Sequence, residues 1–129
     1  MKRLKLLLVA VFLVFGFSSC EYTFWVPEDV IDPTDPNADV ISFSETIQPI
    51  FTNNCVSCHK TGGQLPDLSS GNAYSSINTS RYINRTSPAE SLIYTHPDPT
   101  NTGTHTQMKY TAAQAAYVLG WITQGAENN

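Results

Sequence analysis

Basic side chains and cysteines are both scarce in this sequence. Its 129 residues hold seven Lys and Arg against eleven Asp and Glu, which gives a formal net charge of −4. A chain with so few positive charges is poorly suited to bind phosphate backbones or anionic lipid. We therefore expect no nucleic-acid partner. The three cysteines include no second Cys pair to complete a zinc ribbon, and the length is typical of one domain.

A hydrophobic run long enough to cross a bilayer is also missing. The run from Leu6 to Phe17 has twelve residues, whereas a spanning helix needs about twenty. Together with the basic residues before it, it is typical of a secretory signal peptide. The following Ser18-Ser19-Cys20 resembles a bacterial lipobox. That resemblance predicts a lipoprotein signal peptide over residues 1–19 and lipidation of Cys20. Cleavage that leaves a free thiol, or an uncleaved anchor, are the alternatives.

Residues 20–41 combine prolines with acidic side chains. Prolines interrupt helices and like charges repel, so this composition predicts an extended tether that spaces a domain from a membrane. The residues concerned are Pro27, Pro33 and Pro36, with Glu28, Asp29, Asp32, Asp35 and Asp39.

The segment Cys55-Val56-Ser57-Cys58-His59 has the C-x-x-C-H spacing of a covalent c-type haem attachment site. Two thiols three residues apart, at the end of a helical turn, lie on one side of the backbone. Each can form a thioether with one haem vinyl group, and the same turn aims His59 at the iron. Export supports this interpretation, because haem is attached outside the cytoplasm. A Cys/His zinc site and a redox dithiol are the alternatives.

Helical patterns surround this motif. Ser44 is the predicted N-cap of a first helix, with Phe43 before it as a hydrophobic staple, and Pro49 is expected to kink that helix. Residues 72–77 are predicted to form a short helix. A backbone carbonyl in the segment around Pro66 is expected to accept the outer ring N–H of His59.

Two capping boxes predict the later helices. One runs from Ser87 to Glu90 and opens a helix that should stop before Pro97. The other runs from Thr111 to Gln114 and opens the last helix. Ala115, Val118, Leu119 and Ile122 form the apolar face of that helix, with Trp121 beside it and Gly125 as the C-cap glycine.

The second axial ligand has three candidates. Met108 is favoured because a thioether suits haem iron and because it lies in a loop just before the last helix. His105 is next and would give a lower reduction potential, since a Met ligand raises it. His96 is expected at the surface or a helix end, and an open iron would allow gas binding or peroxide chemistry. Arg81 or Arg85 is a candidate partner for a haem propionate, with solvated surface arginines as the alternative.

Taken together, these residues resemble a class I, single-haem cytochrome c. The likeness covers residues 43–127 and rests on the motif, Met108, Ile47-Gln48-Pro49-Ile50-Phe51 and Trp121-Ile122-Thr123-Gln124-Gly125-Ala126. It implies a small all-α fold over residues 42–129, wrapped around one covalently bound haem, with the first and last helices crossing beside it. By position it assigns Cys55 and Cys58 to the haem c, and His59 and Met108 to its iron.

The implied function is electron transfer without substrate chemistry, by a carrier that is exported and lipid-anchored through Cys20, facing the periplasm. Its partner would be a redox protein with a basic docking patch, because removal of the signal peptide leaves 4 − 11 = −7 charges; solubility alone also explains that charge. The alternatives are a haem enzyme or sensor with an open or His-ligated distal site, which would take peroxide or a gas, and a Cys/His zinc module.

Overall fold

A computed structural model describes residues 38–103 and 105–129. Every regular element in that part is helical, and no strand occurs in it, which confirms the all-α prediction. The elements are a π-helical segment (Phe43–Ile47), α1 (Gln48–Asn54), α2 (Ala73–Ile77), a 3-10 turn (Pro88–Glu90), α3 (Leu92–Thr95) and α4 (Ala112–Thr123). The predicted signal peptide, Cys20 and most of the tether lie outside the described residues. Within the described ranges, no helix is long and apolar enough to cross a membrane.

The first helix begins two residues earlier than the sequence predicts. Ser42, rather than Ser44, is the N-cap, and its Oγ accepts a hydrogen bond from the Glu45 N–H at 3.2 Å. The first turn is π-helical, since the Ile47 N–H reaches back five residues to the Ser42 carbonyl at 3.3 Å. Pro49 lies in the first turn of α1, where a helix tolerates a missing N–H. The bonding changes from π to α just before this proline.

The core is centred on the contact between the first and last helices. The Phe43 ring lies 5.3 Å from the Trp121 ring of α4 and 5.3 Å from the Tyr74 ring of α2. Ile47 and Phe51, one turn and two turns along from Phe43, are completely buried. Truncating a buried aromatic ring of this size costs about 3–5 kcal/mol. This cluster therefore fixes the direction in which α1 delivers the cysteine motif.

The last helix follows its sequence pattern closely. The Thr111 Oγ1 accepts from the Gln114 N–H at 3.2 Å, and the Gln114 Oε1 accepts from the Thr111 N–H at 3.0 Å, which confirms the capping box. Gly125 has a φ of +109° and ends the helix, as predicted. Trp121, expected beside the apolar face, is only 1% exposed, whereas Leu119 is partly buried.

The capping box predicted from Ser87 to Glu90 is wrong. The Ser87 side chain makes no cap hydrogen bond. The Ser87 backbone N–H, which a capping box would pair with the Glu90 carboxylate, donates instead to the Asn84 Oδ1 at 2.9 Å. The Glu90 carboxylate accepts from the Asn84 Nδ2 at 3.3 Å. Ser91 adopts an extended conformation and splits the segment into the 3-10 turn and the short α3. The helical segment still ends before Pro97, as predicted.

Candidate functional site

The end of α1 brings the two cysteines and the histidine of the motif to one cavity. The Cys55 N–H bonds the Phe51 carbonyl at 2.8 Å and ends the helix. The Cys55 carbonyl then accepts from the N–H groups of Cys58, at 3.1 Å, and of His59, at 2.9 Å. This turn places Cys55, Cys58 and His59 in the wall of a cavity of about 460 Å³.

His59 is held by the segment that follows it. Its Nδ1 lies 3.2 Å from the Pro66 carbonyl oxygen, and its own carbonyl accepts from the Leu68 N–H at 2.9 Å. The expectation that a carbonyl of this segment accepts from the imidazole is thus confirmed, and the carbonyl is that of Pro66. In the tautomer with a proton on Nδ1, the Nε2 lone pair is free for a metal ion.

Residues 55–72, which we call the proximal segment, are tied together around Asp67. Its carboxylate accepts from Ser69, from the Thr61 hydroxyl at 2.7 Å and from the Asn72 Nδ2 at 3.1 Å. These bonds, above all that from Ser69, lower the pKa of Asp67 to about 2. The ionised side chain therefore fixes the backbone directly after the Pro66 carbonyl.

Gly63 allows a close backbone contact within the proximal segment, which the sequence does not reveal. A Cβ at this position would lie 2.4 Å from the Cys58 carbonyl oxygen, so no side chain fits. The backbone of Gly63 thus packs directly against the cysteine turn.

Residues 97–103 and 105–110, which we call the distal loop, contribute Pro97, Tyr110 and residues 105–108 to the cavity wall. The Tyr110 N–H bonds the Pro97 carbonyl at 2.9 Å, and the Tyr110 hydroxyl donates to the Ile93 carbonyl at 3.0 Å. Pro97 has no N–H with which to continue α3, so the hydroxyl satisfies the carbonyl that this proline leaves open. Burial raises the pKa of Tyr110 well above its usual value, and the hydroxyl stays protonated at neutral pH.

All three candidates for the second ligand line the cavity. The His105 and His59 rings are nearly parallel, at 20°, with centres 6.1 Å apart. Met108 is 53% exposed and has a φ of +51°. The Nδ1 atoms of His96 and His105 are buried and find no hydrogen-bond partner among the described residues.

Charged side chains take little part in the cavity wall. Arg81 lines it, with its guanidinium carbon 5.6 Å from the Tyr82 ring centre. Arg85 lies elsewhere and donates to the Gly125 carbonyl at 3.2 Å and to the Asn78 Oδ1 at 2.7 Å. Of the two arginines considered for a propionate, only Arg81 is therefore in position to meet a group in the cavity. No Asp or Glu of the described residues lines it.

The sequence interpretation missed Tyr110, which belongs to both the core and the cavity wall. It directly precedes the N-cap Thr111, and the buried Ala115 lies four residues beyond that cap. A hydrophobic residue before an N-cap that packs near the fourth helical position is the hydrophobic staple pattern. That pattern could have found Tyr110.

Zinc fits these residues poorly. Within residues 38–103 and 105–129, no three His, Cys, Asp or Glu side chains gather closely enough to hold a metal ion. The cavity instead suits a flat apolar group, because aliphatic side chains flank the thiols and the imidazole: Leu65, Pro66, Leu68, Leu92, Ile93 and Pro97.

Comparison with known protein families agrees with this geometry. The cytochrome c family model matches residues 44–126, which is well over half of the chain. The chain belongs to the cytochrome c family. This cytochrome therefore binds a c-type haem covalently, and two thiols beside a histidine with one free ring nitrogen are the groups that such a haem needs. Searches of curated proteins and of solved structures found no match.

Proposed function

We propose that this cytochrome is a membrane-tethered electron carrier with one haem c. Cys55 and Cys58 hold the haem through thioethers, and His59 is its proximal ligand. The second ligand comes from the distal loop, where the sequence favours Met108 over His105. The observation that carries this proposal is the shared cavity, in which both thiols and His59 lie together and Pro66 orients the imidazole.

The protein's own groups would serve electron transfer in two ways. When bound, the haem supplies an iron that takes up and releases one electron. The Pro66 carbonyl keeps the proton on the outer nitrogen of His59 and so maintains its ligand tautomer. Buried side chains such as Leu68, Ile93 and Tyr110 exclude water from the cavity wall. These buried side chains would help to keep the surroundings of the iron similar in both oxidation states.

Membrane tethering is proposed from the residues before the domain. Residues 20–41 carry six acidic side chains and no basic one, so their formal charge is −6. Residues 42–129 carry four basic and five acidic side chains, so the domain has 4 − 5 = −1. Most of the negative charge that would attract a basic patch on a redox partner therefore lies on the tether. Lipidated Cys20 would hold this cytochrome to a bacterial membrane, facing the periplasm. Stable anchoring needs about two acyl chains, because one chain alone binds a membrane weakly.

Covalent attachment is tested by substitution of the two cysteines. The full chain is expressed together with a cytochrome c maturation system, then run on a denaturing gel that is stained for haem. We expect a stained band for the natural sequence and for the control Ser57→Ala, which leaves both thiols intact. We expect no band for the double variant Cys55→Ser, Cys58→Ser. If the polypeptide of natural sequence did not stain for haem on this gel, the proposal would be overturned.

The anchor needs a separate experiment. We expect Cys20→Ser to abolish acylation, seen as a loss of acyl mass, and to release the haem-stained protein from membranes. Ser19→Ala, which keeps a small residue before the cysteine, is the control. Unchanged membrane association of Cys20→Ser would contradict lipid anchoring and leave haem attachment untouched.

A further inference from the structure

A hydrogen bond between side chains joins the helix that delivers the cysteine motif to the helix that follows the distal loop. The Asn54 Nδ2 donates to the Gln114 Oε1 at 3.1 Å, across 60 residues of chain. Asn54 directly precedes Cys55 and itself lines the cavity. We propose that Asn54 and Gln114 are positioning residues, whose bond fixes the separation of the cysteine turn from the distal loop and so brings Met108 to the haem iron. The inference rests on the proposed function, in which Met108 is the second ligand.

Gln114 connects this bond to the end of the distal loop. Its Oε1 also accepts from the Thr111 N–H at 3.0 Å, and its own N–H donates to the Thr111 Oγ1 at 3.2 Å. An amide oxygen has two lone pairs, so the one Gln114 oxygen can serve both donors. Three side chains therefore link the residue before the first cysteine to the residue that directly follows the distal loop.

Met108 takes its support from the residues that follow it. Residues 105–108 form no hydrogen bond with other described residues, whereas the N–H groups of Tyr110 and Thr111 are both bonded. Met108 has a φ of +51°, in the left-handed region, so the chain turns at this residue. The direction of its side chain thus depends on where the start of α4 is held, and Gln114 and Asn54 hold it against the cysteine turn.

The bond should matter when the second ligand is displaced. Free imidazole can replace a thioether on haem iron, but Met108 must then leave the iron and the distal loop must move away. The bond between Asn54 and Gln114 opposes that movement, because it ties the end of the loop to the proximal side. The net free energy of one hydrogen bond corresponds to a factor of about 2 to 10 in an equilibrium constant.

The chain offers a matched control on each side of the bond. Asn53 has the same side chain as Asn54, but it is exposed and its amide bonds no other described residue. Both residues end α1, so a general effect of replacing asparagine by alanine in a helix should appear in both variants. On the other side, Gln114→Glu keeps an acceptor for both donors and still completes the capping box.

The test uses the full chain with its haem attached. Met-ligated ferric haem has a weak far-red sulfur-to-iron band, and the loss of this band during titration with free imidazole gives the affinity. We expect the band in the natural protein, and an imidazole affinity about 2 to 10 times higher in Asn54→Ala. Asn53→Ala and Gln114→Glu should keep the natural affinity. The double variant Asn54→Ala, Gln114→Ala should match Gln114→Ala alone, because both substitutions remove the same bond.

Other results would overturn the inference. One is an unchanged imidazole affinity in Asn54→Ala, even if its free energy of unfolding falls, since the bond would then be structural only. Another is an equal rise in Asn53→Ala and Asn54→Ala. If Asn54→Ala fails to fold, Asn54→Leu, which has a similar size and no donor, takes its place in the same comparison.

The same samples separate this inference from the proposed function. A haem-stained natural protein without the sulfur band would show that Met108 is not the ligand, which overturns the inference and leaves covalent attachment untouched. A natural protein with the band and no response to Asn54→Ala contradicts the inference alone. A natural protein without haem contradicts both.

Discussion

The proximal segment and the distal loop form parts of one cavity wall but are held in place differently. The proximal segment is bonded internally, from the Cys55 carbonyl through Asp67 to Asn72. The distal loop is tied mainly near its ends, by Tyr110 to Pro97 and by turns around Asp98. Residues 105–108 form no hydrogen bond with other described residues. The proximal side is therefore held by bonds within its own segment, whereas residues 105–108 gain no such support from the described part of the chain.

Substitution of Gly63 should break the proximal side most severely. In Gly63→Ala, the new Cβ would clash with the Cys58 carbonyl, 2.4 Å away, so the backbone of the cysteine turn must move. We expect a loss of about 1–3 kcal/mol in the free energy of unfolding and a lower yield of covalent haem. Chemical denaturation and haem staining measure the two effects.

The matched control for this substitution lies in the distal loop. In Gly103→Ala, the nearest atom to the new Cβ is the Asn101 Oδ1 at 3.7 Å, which is ordinary contact. It should fold and bind haem normally. If both substitutions lowered the free energy of unfolding and the yield of covalent haem equally, the close contact at Gly63 would not explain the effect.

Removal of the Tyr110 hydroxyl should loosen the anchor of the distal loop. Tyr110→Phe leaves the buried Ile93 carbonyl without its donor, and Pro97 cannot replace that donor. An unsatisfied buried carbonyl costs about 1–3 kcal/mol. We expect lower stability and faster amide hydrogen exchange in the distal loop, with the cysteine turn protected. Tyr117→Phe is the control, since the Tyr117 hydroxyl bonds no other described residue; faster exchange in both regions would argue against separate anchoring.

Acid should weaken the proximal segment through Asp67. Its pKa is about 2 in the folded protein, below the value of about 3.9 that an unfolded chain has. A depressed folded pKa contributes stability above pH 3.9, and that contribution disappears as the pH falls towards 2. Because the carboxylate is partly exposed, solvent weakens the effect. We expect Asp67→Asn to lower stability at neutral pH and to flatten its fall between pH 4 and 2.

The smallest effect should come from the arginine at the cavity wall. Arg81→Gln removes a positive charge beside the haem site, which favours the oxidised iron and lowers the reduction potential slightly. Arg85→Gln should not change the potential, because that side chain bonds Gly125 and Asn78 outside the cavity. Potentiometric titration compares the two; equal shifts would contradict the different placement of the arginines.

Sequence reasoning worked where local chemistry decides the structure. The Thr111 capping box and the Gly125 helix end each depend on a few neighbouring residues, and both are observed. The Ser87 pattern looked equally good, but Asn84 takes the bonds that a capping box would make. Asn84 precedes the Ser87–Glu90 pattern, so the pattern itself could not reveal its competing bonds.

The candidate site was predicted only in part for a related reason. The motif spacing identifies Cys55, Cys58 and His59, because chemistry fixes that spacing. The Pro66 carbonyl and the ring pairing of His105 depend on how two separate loops reach the same cavity. Composition and periodicity carry no such information, so the sequence favours Met108 only on its ligand chemistry and its position in a loop before the last helix.

The central claim is that Cys55 and Cys58 carry a haem through covalent bonds. Intact-mass spectrometry of the denatured full chain, after expression with a maturation system, measures this directly. We predict the mass of the processed polypeptide plus one haem, and its loss when both cysteines are replaced by serine. The mass of the bare polypeptide in the natural protein would contradict the account.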